Sequence, residues 1–306
     1  MINVSNKFNT LRYAKAEGFL KTKKETLERI LRNSIPKGDV IATCRAAGIN
    51  AAKRTSELII FCHPIPLDWV EVDIQITEDA LHVTAQVESV WKTGVEMEAI
   101  MAVTAALLNA YDMLKPIDDK LEMAAIRVIE KRGGKSQFIE SFESPLKTAV
   151  LVISDSTYRG EREDKSGIII KELLDTQPVD IEIYEILPDD KDLIRERLLS
   201  LANNDKCDLI VTTGGTGFGP KDYTPEATSA ILENNAPGIV ERIRSYGSER
   251  TPYAMLSREC AGTIGQCLII NLPGSPNGVR ESMNSLFPAV FHIFPMLWGR
   301  GHDESK

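Results

Sequence analysis

The feature that most constrains this chain is a change in hydrophobic rhythm part-way along it. In the first half, apolar side chains alternate with polar ones or recur at helical spacing; from Thr148 onward they come in unbroken runs. Alternation suits a sheet covered on one face, and unbroken runs suit parallel strands buried on both. With 306 residues there is room for two domains, each with its own core.

The first rhythm is clearest in WVEVDIQIT (69–77) and ALHVTAQVES (80–89), which alternate with period two across Glu78-Asp79 and predict an antiparallel hairpin. Helical patterns cover KKETLERILRN (23–33), about Gly38 to Leu58, and about Val95 to Leu114 before Pro116. MAAIRVIEK (123–131) reads as a further strand. The expectation is an α+β domain, an antiparallel sheet with helices of ferredoxin-like type. In the second half TAVLVISD (148–155), IEIYEILP (181–188), CDLIVTTGG (207–215) and QCLIINLPG (266–274) are separated by helical stretches. That alternation predicts an α/β doubly wound, mostly parallel sheet with ligands at its C-terminal strand ends. The polar segment 133–148, punctuated by Gly133, Gly134 and Pro145, is the expected linker. It sets domains at 1–140 and 147–306.

A formal charge of −8 argues against a general nucleic-acid binder. Cys44, Cys62, Cys207, Cys260 and Cys267 are odd in number and widely spaced, which fits a reducing compartment better than a disulfide framework. The N-terminus lacks an apolar h-region, and no apolar run reaches the ~20 residues that span a bilayer. A cytoplasmic protein with neither nucleic acid nor membrane as partner is expected.

In the second half each strand runs into a polar or glycine-rich loop: Ser154-Asp155-Ser156, Pro188-Asp189-Asp190, Thr212 to Gly217, and Pro273-Gly274-Ser275-Pro276. Loops at the same ends of parallel strands converge, and glycine turns free backbone N–H groups for phosphate. Asp189 and Asp222 add hard oxygen ligands suited to Mg²⁺. Thr224-Pro225 reads as an N-cap followed by proline at the first helical position. Neither a P-loop nor GxGxxG fits, so generic motifs lead only to a nucleotide or phosphate pocket. The longer string SDS…DKSG…PDD…TTGGTGFGPKDYTPEAT…AMLSR…NLPGSP, from about Lys147 to Leu297, resembles the molybdopterin-binding family that includes the molybdopterin adenylyltransferases, the MogA and MoaB proteins. The resemblance implies a pocket for molybdopterin and ATP, with Mg²⁺ on Asp189 and Asp222 as the catalytic acids. Thr213, Gly214, Gly215, Thr216, Gly217, Pro273, Gly274 and Ser275 would contact pterin or phosphate. The alternative is a non-catalytic pterin-binding or oligomerisation module.

In the first half, Asp112 and Lys115 share a helix face at i, i+3. Glu98 precedes Asp112 by 14 residues, close to four turns, so it points the same way but ~21 Å along the axis. The two cannot meet around one small substrate on a single straight helix. An antiparallel helix from a second subunit would bring them together, which places the expected site at a two-fold interface. Read singly, His63 beside Pro64 satisfies backbone hydrogen bonds and Cys62 is a small buried hydrophobe. Taken in order, KGDVIATCRAAGINAAKRT, CHP, KTGVEMEA and YDMLK closely resemble cyclic pyranopterin monophosphate synthase, the MoaC family, from Asn3 to about Ser136. The family converts a cyclised dihydro-GTP intermediate to cyclic pyranopterin monophosphate and releases pyrophosphate. By resemblance Asp112 and Lys115 are the catalytic pair and Lys37 assists. Phe61, Cys62, His63, Glu96, Met97 and Glu98 would meet substrate, and Arg12 and Lys135 would hold the triphosphate. No metal or other cofactor is required there. Asn3, Pro36 and Trp91 depart from the family's usual residues. Homo-oligomers are expected, a dimer from the helix geometry, or a hexamer if the second domain forms trimers.

Overall fold

The computed structural model describes residues 1–299, apart from the side chains of Lys135 and Ser136. It divides into two compact units, Met1–Gln137 and a second beginning at Phe138.

The first unit runs β1 (Thr10–Lys21), α1 (Lys24–Leu31), α2 (Val40–Lys53), α3 (Thr55–Leu58), β2 (Trp69–Ile76), β3 (Ala80–Trp91), α4 (Glu96–Leu114) and β4 (Glu122–Arg132). Its sheet has the order β2-β3-β1-β4, with every neighbouring pair antiparallel. Ala14, Ala16 and Leu20 of β1 join Leu81, Val83, Ala85 and Val87 of β3 in one core with α1, α2 and α4. The opposite face of β1 carries Glu17 and Phe19, where Phe19 stacks on His82 at 4.4 Å and Arg127 pairs with Glu17 at 2.7 Å. Sequence reasoning left β1 unassigned, although it is a central strand. Its buried face is built from Ala14, Ala16 and Gly18 rather than from β-branched residues. A Cβ at Gly18 would stand 2.8 Å from both Val103 and Leu107 of α4, so the small residues let the helix lie close to the sheet.

Helix α4 is long and apolar enough to cross a membrane by length and composition, which a search for unbroken apolar runs overlooks. Ala99, Ala102, Val103, Ala106, Leu107, Ala110 and Leu114 are buried along it, so it is the core helix of this unit. Beyond it, Asp118 closes the corner. Its Oδ2 accepts from the Thr22 hydroxyl (2.5 Å), Lys23 N–H (2.9 Å) and the Thr26 hydroxyl (2.8 Å).

The second unit contains β5 (Leu146–Ile153), α5 (Asp155–Tyr158), α6 (Ser166–Leu174), β6 (Val179–Leu187), α7 (Lys191–Asn203), β7 (Leu209–Thr213), α8 (Thr224–Ser229), β8 (Asn234–Asn235), α9 (Pro237–Ser248), β9 (Ala261–Ile264), β10 (Cys267–Leu272), α10 (Pro276–Leu286) and α11 (Ile293–Leu297). The sheet order is β6-β5-β7-β10-β9-β8. The first three pairings are parallel and the last two antiparallel. Alternate strand residues feed two cores, which explains the unbroken apolar runs. Val150, Val211 and Ile270 pack with α6, α9 and α10, while Leu151, Ile210 and Ile269 pack with α7 and α8. The two antiparallel strands β8 and β9, of which β8 is the edge, were not anticipated; they are only 2 and 4 residues long. Phe142, inside the expected linker, packs edge-on against Phe291, Phe294 and Trp298 and so belongs to the second unit's core.

Candidate active sites

In the first unit the expected residues fall into two groups at opposite ends of α4. At the C-terminal end, Lys37 Nζ donates to Asp112 Oδ2 (2.6 Å) and to the Asp112 carbonyl (2.8 Å), while Lys115 Nζ lies 2.8 Å from Oδ1. Lys37 is delivered by the turn before α2, where Gly38 takes φ +99° and Asp39 caps the helix through Ala42 N–H. The ammonium groups of Lys115 and Lys37 push the Asp112 carboxyl down to about 2. Asp112 in turn raises Lys115.

At the N-terminal end, a cavity of about 740 Å³ is lined by Phe61, Cys62, His63, Glu96, Met97 and Glu98, together with Met1 and Ile2. His63 Nε2 lies 2.9 Å from the Ile2 carbonyl, the backbone role that a histidine beside proline suggests. Glu98 is 3% exposed, its Oε2 has no hydrogen-bond partner, and burial pushes its carboxyl up to about 7. Burial and Glu98 raise the Cys62 thiol as well.

A second cavity, of about 610 Å³, shares Lys7, Gly94 and Glu96 with the first and adds Arg12, Lys131 and Arg132. Arg12 donates to the carbonyls of Trp91 (3.2 Å) and Lys92 (3.3 Å), and burial lowers its pKa. Gly133 and Gly134 are required beside it, since any Cβ there would overlap Leu11 O or Arg12 Nη1. Lys7, Lys131 and Arg132 escaped sequence reasoning, because lone basic residues carry no motif. The Lys135 side chain lies outside the described residues. Neither cavity is lined by Lys37, Asp112 or Lys115.

In the second unit the strand-end loops do converge. A crevice of about 440 Å³ is lined by Ser154, Asp189, Thr213, Gly214, Gly215, Asp222, Gly274, Ser275 and Pro276, with Arg162 and Lys165 beside them. Gly214 has φ +100° and a Cβ would overlap the Ile153 carbonyl, so only glycine lets β7 turn beside β5. Asp189 and Asp155 clasp one another across the ends of β5 and β6: Asp155 N–H donates to Asp189 Oδ2 (2.8 Å) and Asp189 N–H to Asp155 Oδ1 (3.1 Å). Burial, and then the neighbouring charges of Asp155 and Asp222, raise the Asp189 carboxyl. Asp155 is lowered, chiefly by Lys221 at 2.6 Å.

Three expected contacts are not in this crevice. Thr216 is buried with its carbonyl accepting Arg258 N–H (3.0 Å), the Gly217 carbonyl accepts Arg258 Nε (2.7 Å), and the Pro273 carbonyl accepts the Thr213 hydroxyl (2.7 Å). They hold the loops rather than line the crevice. Thr224 is also not the N-cap. It is the first helical residue, and its hydroxyl donates to the Gly214 carbonyl at 2.9 Å.

The acids suit Mg²⁺ only in part. Asp189 and Asp222 each spend one oxygen on a backbone N–H, leaving the other for a cation. Among the described residues no group of three His, Cys, Asp or Glu side chains could hold a metal. Phosphate oxygens of a bound ligand would have to complete the coordination, as is usual for Mg²⁺.

Residues 1–134 match the MoaC family, and residues 149–292 match a probable molybdopterin binding domain. A molybdenum cofactor biosynthesis bifunctional protein of Chlorobaculum tepidum is 39% identical over 302 residues, covering 99% of this chain and 96% of its own. The chain belongs to the bifunctional molybdenum cofactor biosynthesis proteins. A cyclic pyranopterin monophosphate synthase of Thermomicrobium roseum is 49% identical over 138 residues, 44% of this chain and 83% of its own. The crystal structure of MoaB from Thermus thermophilus is 42% identical and covers 50% of this chain and 97% of its own, with a TM-score of 0.48. In this bifunctional protein Arg258 is the residue that motif reading undervalued. Besides its bonds to the 216–217 turn it donates to the Asp222 carbonyl (2.6 Å) and pairs with Glu226, so one side chain fixes the loop that carries Asp222. Its position in the LSR string was visible, but that use was not.

Proposed function

We propose that the first unit converts the cyclised dihydro-GTP intermediate to cyclic pyranopterin monophosphate with release of pyrophosphate, and that the second adenylylates molybdopterin with Mg-ATP. The single observation that carries the first assignment is the Lys37–Asp112–Lys115 cluster. Two ammonium groups held on one ionised carboxylate can donate protons to a leaving group and take them up again, with Asp112 fixing both. Lys7, Arg12, Lys131 and Arg132 supply positive charge for a triphosphate, and the Glu98 cavity supplies an apolar slot for a ring.

The two groups of residues lie at opposite ends of α4, whose outward side leaves Met97, Leu108 and Tyr111 exposed. A second copy packed antiparallel on that side would bring one chain's Asp112 to the other's Glu98. Homo-oligomerisation is thus part of the proposal. Mixing an inactive Asp112→Asn chain with an inactive Glu98→Ala chain is expected to restore pyrophosphate release. A fully active monomer would refute the arrangement.

For the second unit, Asp189, Asp222 and the Gly214–Gly215 turn are what support adenylyl transfer. When bound, Mg²⁺ would neutralise the departing pyrophosphate. The chain's own task is to orient the phosphates: the glycine turn allows close approach, and Arg162 and Lys165 stand at the rim. Adenylate formation from molybdopterin and ATP, lost in Asp222→Asn, supports the enzyme; tight pterin binding without ATP turnover would make this unit a binding module.

A further inference from the structure

The loop from Gly214 to Asp222 carries one cation, Lys221. Its Nζ donates to Asp155 Oδ2 at 2.6 Å, and the other oxygen of that carboxylate accepts Asp189 N–H. The ammonium therefore ends beside the clasped pair Asp155–Asp189, while its neighbour in sequence, Asp222, lines the same crevice as Asp189. Asp155 raises the Lys221 ammonium most, and Asp189 adds to the rise. Lys221 in turn offsets part of the upward push that burial, Asp155 and Asp222 exert on the Asp189 carboxyl. Arg159 comes no nearer to Asp155 than 4.0 Å and is engaged with Glu161 at 2.8 Å. Lys221 is thus the close counter-ion of this group of acids.

Two features make that ion pair exchangeable. The Lys221 side chain is 68% exposed, and an exposed pair holds its partners only weakly. The main chain beneath it is fixed independently. Gly219 N–H donates to Asp222 Oδ2 (2.7 Å), Asp222 N–H donates to the Gly219 carbonyl (3.1 Å), and Arg258 holds the Asp222 carbonyl (2.6 Å). The ammonium can leave Asp155 by rotation of its own four-carbon stem while Asp222 stays in place. An ammonium is also a compact charge that pairs with phosphate as readily as with carboxylate. Resting on the reading of this crevice as a Mg-nucleotide site, we propose that Lys221 is a resident counter-cation. It neutralises the Asp155–Asp189–Asp222 group until a divalent cation takes that place, and it then passes to a phosphate oxygen of the nucleotide. The consequence is a reversal of sign. Removing the charge of Lys221 favours a divalent cation binding alone and disfavours the nucleotide.

The test uses the full-length chain and two binding measurements. Mn²⁺ alone is titrated by electron paramagnetic resonance. Mg-ATP is titrated by the hydrogen-exchange protection of the amides from Thr213 to Asp222, which keeps the first unit's cavities out of the reading. Lys221→Met should bind Mn²⁺ about tenfold tighter than wild type and Mg-ATP about tenfold weaker. Lys221→Arg, which keeps the charge, should stay within about threefold of wild type in both. The gain in Mn²⁺ affinity should vanish when Asp222→Asn is added to Lys221→Met. A Lys221→Met chain that loses affinity for both ligands has only a damaged loop, and that result overturns the proposal. So does an unchanged Mn²⁺ affinity, or a gain that survives Asp222→Asn, since the ion then sits elsewhere. Turnover is not part of the readout. Opposite shifts without adenylate formation keep this proposal and sink adenylyl transfer, whereas adenylate formation with parallel shifts does the reverse.

Discussion

Glu98 gives the sharpest test of the first unit. Burial in the first turn of α4 moves its carboxyl from the ordinary 4.5 to about 7. Between those values the folded chain keeps a proton that the unfolded chain has released. Stability therefore falls as pH rises from 4.5 to about 7, and above that the whole contribution is lost. The gap corresponds to roughly 3 kcal/mol, from about 1.4 kcal/mol for each pH unit between the two values. Glu98→Gln has no such titration. Relative to the parent it should gain little at pH 4 and up to about 3 kcal/mol at pH 8, less roughly 0.5 kcal/mol for losing a negative charge at a helix N-terminus. Urea unfolding followed by tryptophan fluorescence measures this cleanly on a Trp298→Phe background, because Trp69 and Trp91 then report on the first unit alone. A difference between the two proteins that stays constant from pH 5 to 8 would refute the reasoning, since it would put the carboxyl in water.

Asp112→Asn leaves Lys37 and Lys115 without their shared carboxylate, and kcat for pyrophosphate release should drop by about 100-fold or more with little change in Tm. Because Asp112 is held down to about 2, an acid limb of the activity profile above pH 4 must belong to another group, which a pH–rate series will show. Asp118→Asn weakens a buried set of hydrogen bonds and should cost about 2–3 kcal/mol at pH 7, read by urea unfolding. The parent's Asp118 carboxyl lies far below its ordinary value, so that contribution is present above about pH 4 and fades as pH falls. Arg258→Ala should release the loop over Gly217–Asp222, seen as faster amide hydrogen exchange there while β7 stays protected.

How much of this was legible depended on whether a residue's signal was local. The hairpin of β2 and β3 was readable because Val72, Ile74, Val83 and Ala85 alternate with polar neighbours, and burial follows that alternation. The parallel strands β5, β7 and β10 were readable because both faces are covered. Strand β1 was not, since the closeness of α4 selects Ala and Gly there, and that demand comes from Val103 and Leu107, far from the strand along the chain. The sites divide in the same way. Glycine turns and acids at strand ends announced the crevice, and helical phase set Asp112 and Glu98 apart. Lys131 and Arg258 meet partners distant in sequence, Lys7 reaches its cavities only through the fold, and nothing beside them marks the role.

The core helix α4 also acts as a ruler. Glu98 and Asp112 lie near its two ends, ~21 Å apart and on nearly the same side. Inserting one residue between them would rotate everything downstream by ~100° and slide it ~1.5 Å, upsetting at once the packing of Ala102, Ala106 and Ala110 and the alignment of both polar groups. Length changes in this family should therefore be barred from this helix and gather instead in loops where neither phase nor span is measured. The spacing between the two carboxylates is then among the slowest features of the molecule to change.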